Sequence, residues 1–193
     1  MALFFVPALV AVDSLAIAPV VFLIVFVFLL GIFWSTYQTQ VPLFLSGPHV
    51  WDAVNTLLPA RPLRCIDIGS GLGGAVLGLA KRRADCTFTG VEIAPLPWLT
   101  SVIRARLLKS TAIFLRRDYR NIDLAGYDVV FAYLSPAAMP ALWSQAIEQM
   151  GSEAMLISYA FGLEDVTPNI VCQPAGGGAA LFVWYPHRFS SAA

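Results

Sequence analysis

The sequence predicts an α/β fold: a seven-stranded, mostly parallel sheet that ends in a β-hairpin and follows one N-terminal transmembrane helix. Three observations predict it. From Leu63 onward, short runs rich in Val, Ile and Phe alternate with helix-length segments, the pattern of a doubly wound sheet. Near the C-terminus, Ile170 to Gln173 and Ala179 to Tyr185 are separated by Pro174 and Gly176-Gly177-Gly178, a hairpin signal. Upstream, Leu15 to Trp34 is almost unbroken Val, Leu, Ile, Phe and Ala. At about 1.5 Å per residue such a helix spans a hydrocarbon core of roughly 30 Å.

Composition divides the chain into two materials. All twelve Lys and Arg lie at or beyond Arg61, and no side chain between Asp13 and Asp52 is charged. Only 12% of residues are charged, and the mean hydropathy of +0.72 is that of a protein carrying a membrane segment. The expected organisation is a hydrophobic anchor over residues 1–37, a linker and pre-domain helix over 38–62, and a folded domain over 63–187. Zero net charge argues against a nucleic-acid partner. Cys65, Cys86 and Cys172 are odd in number and isolated in apolar contexts, so they read as small buried hydrophobes in a reducing compartment and not as a disulfide frame or metal site.

In the anchor, Pro19 falls in the first turns, where its ring costs least, and Trp34 and Tyr37 suit a headgroup boundary. A secretory signal fits badly, because no basic segment precedes the apolar run and no small-residue cleavage site follows it. The nearest cations, Arg61 and Arg64, favour a cytoplasmic C-terminal domain in a single-pass protein. The bilayer is therefore an expected partner through residues 15–34. Ser46-Gly47-Pro48 starts a helix over His49 to Leu58, closed by Pro59 and Pro62. His49 has no partner spaced for metal or catalysis and reads as a surface residue.

The expected elements then run in order: strand Arg64 to Ile68, helix Ala75 to Arg83, strand Cys86 to Glu92, helix Pro97 to Leu108, strand Ala112 to Leu115, strand Tyr127 to Tyr133, helix Met139 to Gln149 and strand Ala154 to Ala160. The first strand runs into Asp67-Ile68-Gly69-Ser70-Gly71-Leu72-Gly73-Gly74. Closely spaced glycines let a backbone turn tightly against a ligand, and the helix behind offers free N–H groups. Glu92, ending the next strand 25 residues after Asp67, suits a ribose diol, since one carboxylate accepts from both hydroxyls.

Gly69-x-Gly71-x-x-Gly74 also formally matches a dinucleotide fingerprint. An acid at the position of Asp67, however, resembles motif I of the class I S-adenosylmethionine (SAM) methyltransferases more than a nicotinamide site. The C-terminal hairpin points the same way, because the Rossmann-like methyltransferase sheet closes with an antiparallel strand. The resemblance implies SAM as cofactor, with Asp67, Gly69, Ser70, Gly71 and Gly73 at its methionine end, Glu92 at the ribose and Asp118 at the adenine. An ion pair with Arg116, Arg117 or Arg120 is the other reading of Asp118. Tyr133 and Ser135, after the fourth central strand, are the candidate residues of the acceptor mouth. Tyr133-Leu134-Ser135-Pro136 is not Asn-Pro-Pro-Tyr, which argues against methylation of a planar nitrogen. Tyr133 and Tyr159 either bound an amine by cation–π contact or serve as core aromatics.

Taken together, the anchor, the Asp67 loop, Gly90-Val-Glu-Ile with Pro97-Trp98-Leu99, Arg117-Asp118, and Phe131-Ala-Tyr-Leu with Met139-Pro140-x-Leu142 resemble the membrane-anchored mitochondrial protein-lysine methyltransferases and their broad-specificity archaeal relatives. That resemblance implies a lysine of a membrane or membrane-associated protein as substrate and no metal. Methylation of a lipophilic small molecule and a non-catalytic scaffold are the alternatives. Pro42-Leu43-Phe44-Leu45 departs from the Pro-Tyr-Val-Pro such proteins carry before the first helix.

Overall fold

The computed structural model describes residues 19–39 and 46–187, residues 32–39 as backbone alone. The chain falls into two units, Met1–Thr39 and Gln40–Ala193. The first contains helix α1 (Pro19–Thr39), 21 residues without a charge. Val20 to Val27, Leu29 and Leu30 all stand exposed. A helix apolar on every side has no face suited to water. Among the described residues no helix is long and apolar enough to cross a membrane. The predicted span, 15–34, runs beyond the described residues at its start and beyond the described side chains at its end.

The second unit contains helix α2 (Pro48–Leu57), β1 (Arg64–Ile68), α3 (Gly74–Arg82), β2 (Thr87–Glu92), α4 (Pro95–Leu107), β3 (Ile113–Arg116), β4 (Val129–Ala132), α5 (Met139–Gln149), β5 (Met155–Tyr159), β6 (Ile170–Cys172) and β7 (Leu181–Trp184). One seven-stranded sheet has the order β3-β2-β1-β4-β5-β7-β6. β1 to β5 pair in parallel, while β7 lies antiparallel to both β5 and β6. The mixed sheet and terminal hairpin are those expected from sequence.

Alternation along the strands builds two core layers. Val129 and Phe131 of β4 face the layer made with α2 and α3, where Val50, Val54, Val76 and Leu79 are buried. Val130 and Ala132 face the other, made with Met139, Leu142 and Ala146 of α5 and with Ile122 and Leu124. Helix α2 is thus a wall of the core and not an appendage of a linker: its Val50, Ala53 and Val54 are buried. Cys65, Cys86 and Cys172 are free thiols, the first two buried. Burial pushes the Cys65 thiol up to about 12.

The strand order reverses between β1 and β4, whose chains leave the sheet in opposite directions. In an open α/β sheet the crevice outside that reversal, at the C-terminal strand ends, is the place for a ligand. Motif residues 67–74 lie there.

Candidate active site

The loop leaving β1 is wired to β2. Gly69 N and Ser70 N both donate to the Val91 carbonyl at 2.9 Å, and Gly73 N donates to Ser70 O at 2.9 Å. This path requires left-handed backbone at Gly69 (φ 75°), Gly71 (φ 53°) and Gly73 (φ 75°), where a Cβ would be strained. Gly73 then caps α3.

Glu92 braces the same loop. Its Oε2 accepts from Gly71 N at 2.9 Å and its Oε1 from Ala94 N at 2.8 Å. Each carboxylate oxygen keeps a second lone pair, so the ribose role and the bracing role are compatible. Burial raises the Glu92 pKa, and the Ala94 and Gly71 amides oppose that rise. A further brace comes from α4, where Arg104 Nη1 donates to the Leu72 carbonyl. A contact between residues 32 apart leaves no local signal in the sequence.

Asp67 sits on the floor of this cradle. It is buried, and among the described residues nothing donates a hydrogen bond to its carboxylate. Burial, and then the neighbouring Glu92 carboxylate, pushes its pKa up to about 8. Ser70 Oγ is likewise buried without a partner. A buried acid and a buried hydroxyl lacking partners cost free energy unless a ligand completes them. Three left-handed glycines, an unpaired carboxyl and an orphan hydroxyl fit a ligand that brings an ammonium and hydroxyls to this turn.

Asp118 stands at the end of β3 and is engaged by Arg120. Its carboxylate caps a short 3-10 turn by accepting from Arg120 N at 3.0 Å and meets the guanidinium at 2.6 Å. Arg120 holds the Asp118 carboxyl below its ordinary range. The ion-pair reading of Asp118 therefore describes this structure, and one carboxylate edge remains for a further donor.

The acceptor side lies at the ends of β4 and β5. Tyr133 and Tyr159 meet edge to face with centroids 4.7 Å apart, and Phe161 lies 6.1 Å from Tyr133. Burial, then Tyr159, raises the Tyr133 pKa. Tyr159 Oη accepts from Ala179 N at 3.3 Å. Ala160, next in the chain, holds φ at 71°, an unusual value for a residue with a Cβ. Ser135 begins the 3-10 turn Pro136–Ala138 without a side-chain capping bond.

The antiparallel return of β7 brings the hairpin loop to these strand ends, since Tyr159 pairs with Leu181. His49, expected at the surface, meets that loop. A Cβ at Gly176 would stand 2.8 Å from His49 Cβ; one at Gly178 would stand 2.7 Å from Tyr159 Oη and 3.6 Å from His49 Nε2. These strand ends thus also meet α2 and the hairpin, neither of which a strand-end motif reveals.

Residues 67–170 match the family model described as the ANTKMT methyltransferase domain. No curated protein matches the chain. Among solved structures, an RNA methyltransferase from Salinibacter ruber in complex with S-adenosyl-L-homocysteine is 22% identical, with a TM-score of 0.68 over 73% of this chain and 92% of its own. The [4+2]-cyclase SpnF is 19% identical, with a TM-score of 0.51 over 58% of this chain and 44% of its own. Likeness at these identities shows the fold and leaves the chemistry to the site.

Proposed function

Since the chain belongs to the ANTKMT methyltransferase domain family, and so is a class I SAM-dependent methyltransferase, we propose that it methylates the ε-amine of a lysine in a membrane or membrane-associated protein. The observation that carries this reading is the Tyr133, Tyr159 and Phe161 wall beside the glycine loop. Aromatic faces attract an ammonium, and apolar surroundings favour its neutral, nucleophilic form. The matched family description supports the same substrate class.

When bound, SAM supplies a methyl on a sulfonium. Asp67 is assigned to its ammonium, Ser70 Oγ and the turn made by Gly69, Gly71 and Gly73 to its methionine end, Glu92 to its ribose and the free edge of Asp118 to its adenine. On the acceptor side, Tyr133, Tyr159 and Phe161 would hold the lysine nitrogen with its lone pair free to take the methyl that bound SAM would supply. The lysine reaches the mouth as ammonium and loses one proton to water before attack. Alignment in a closed mouth supplies most of the rate, so no dedicated base is required.

α1 is assigned as a single-pass anchor with the folded domain on the cytoplasmic side. Support comes from the uncharged sequence of α1, from its exposed apolar side chains between Val20 and Leu30, and from the absence of any charge between Asp13 and Asp52. The test is transfer of labelled methyl from SAM by the full chain into membrane extract, followed by digestion and mass spectrometry. Label on lysine ε-nitrogen in protein is the expected result. Label confined to the solvent-extracted lipid fraction would overturn the lysine assignment in favour of a lipophilic small molecule.

A further inference from the structure

Helix α4 is amphipathic in reverse. The residues it buries are Pro97, Ser101 and Ala105, each four apart. Those it exposes include Leu99, Ile103 and Leu107, also four apart, with Leu108 beyond the helix end. Leu107 is 77% exposed and Leu108 64%. Close packing explains the inner face. A Cβ at Gly73 would stand 2.8 Å from Ser101 Cβ and 2.7 Å from Phe114 Cζ, so only small residues let the helix approach the loop this closely. Nothing of that kind explains the outer face, because a helix facing water places polar residues outward.

Charge along this stretch of chain has one sign. From Ile93 to Arg117 there are five cations, Arg104, Arg106, Lys109, Arg116 and Arg117, and no carboxylate. Arg104 is engaged with Leu72 O, while Arg106, Lys109, Arg116 and Arg117 are exposed and, among the described residues, form no ion pair. Arg106 is seven residues from Leu99 and so falls within the aliphatic stripe.

We infer that the outer face of α4 is an interfacial docking surface for an anionic lipid bilayer, with Leu99, Ile103, Leu107 and Leu108 entering the headgroup and acyl boundary while Arg106 and Lys109 meet lipid phosphates and carboxylates. Aliphatic side chains interleaved with cations are the composition of helices that lie in that interface. Protein interfaces enrich Tyr and Trp together with Arg, whereas the apolar members exposed here are the aliphatic Leu and Ile. This surface is separate from α1 and stands whether or not α1 spans the bilayer.

The test uses the full chain carrying Cys172→Ser and one introduced cysteine, Leu107→Cys or Val25→Cys, spin-labelled and reconstituted with phosphatidylcholine alone or with about one-third phosphatidylserine. Relative collision with oxygen and with a water-soluble nickel chelate reads lipid contact. With phosphatidylserine, the label at 107 is expected to favour oxygen; without it, the label faces water. Arg106→Glu with Lys109→Glu should shift the docked-to-undocked ratio toward undocked by about fivefold or more per charge site. SAM binding by each variant confirms the fold. A label at 107 that stays in water in both lipids overturns this inference, and the label at 25 then reports the anchor independently. Equal shielding of 107 in neutral lipid overturns it because anionic headgroups then contribute nothing, and protection that appears only with a soluble acidic protein overturns it because the surface then serves a protein contact.

Discussion

If Asp67 holds the SAM ammonium as proposed, binding releases a proton, and the effect has a size. Its carboxyl, with a pKa of about 8 before a ligand arrives, is mostly protonated at pH 6. A cation placed against it favours the carboxylate, so ligand and proton compete for the site. If the ionised form alone pairs with the SAM ammonium, affinity rises about tenfold between pH 6 and pH 7, each unit being about 1.4 kcal/mol, and the rise flattens near pH 8. Titration calorimetry at these pH values, in two buffers of different ionisation enthalpy, should count nearly one proton released per SAM at pH 6 and clearly fewer at pH 8. The ligand-free fold obeys the same linkage. A raised acid contributes stability that is full below its ordinary value of 3.8 and lost as pH rises through about 8. Asp67→Asn should therefore bind SAM weakly with little pH slope, while the unliganded protein gains stability at pH 7, with an upper bound of about 4 kcal/mol. A pH slope retained in Asp67→Asn, or a flat affinity in the parent, refutes the assignment.

Three further outcomes follow from single contacts. Gly78→Ala inserts a Cβ 2.2 Å from the Trp51 ring; overpacking of about 1–3 kcal/mol outweighs a helix-propensity gain of about 1 kcal/mol, so thermal unfolding should move down by a few degrees. Gly151→Ala, with nothing within 4 Å, is the neutral control. Arg104→Leu removes the charged donor to Leu72 O and should weaken SAM by about tenfold in the same calorimeter, near 1.5 kcal/mol, with most of the fold stability retained. Ala160→Gly relieves a left-handed residue at the end of β5 and should raise stability by about 0.5–1 kcal/mol in denaturant unfolding; a loss there would show that φ at this position is not strained.

What the sequence disclosed and what it hid divide along a physical line. Strand Arg64–Ile68 and helix Met139–Gln149 appear with the predicted bounds, because a buried parallel strand and an amphipathic helix write their period into consecutive residues. Most other ends moved by one or two residues, as at Val129–Ala132 within the expected Tyr127 to Tyr133. The glycine loop was readable for the same reason: a turn that needs left-handed backbone needs glycine at those positions. Contacts set by tertiary approach were not readable. Arg104 on Leu72 O, Arg120 on Asp118 and His49 beside the hairpin each depend on how elements meet.

The site combines these two kinds of information unequally. Its cofactor half is one strand, one loop and the end of the next strand, so a local motif describes it nearly in full. Its acceptor half draws on α2, the ends of β4 and β5 and a hairpin that returns from more than twenty residues away. Substrate choice therefore rests on the half of the site that local pattern describes least. On the proposed assignment, variation at Tyr133, Tyr159, His49 and Gly178 changes the acceptor while Asp67 and Glu92 continue to hold the same cofactor. That separation matches how open α/β sheets carry many chemistries on one frame, with the ligand fixed at the strand reversal and the specificity carried by the segments that close over it.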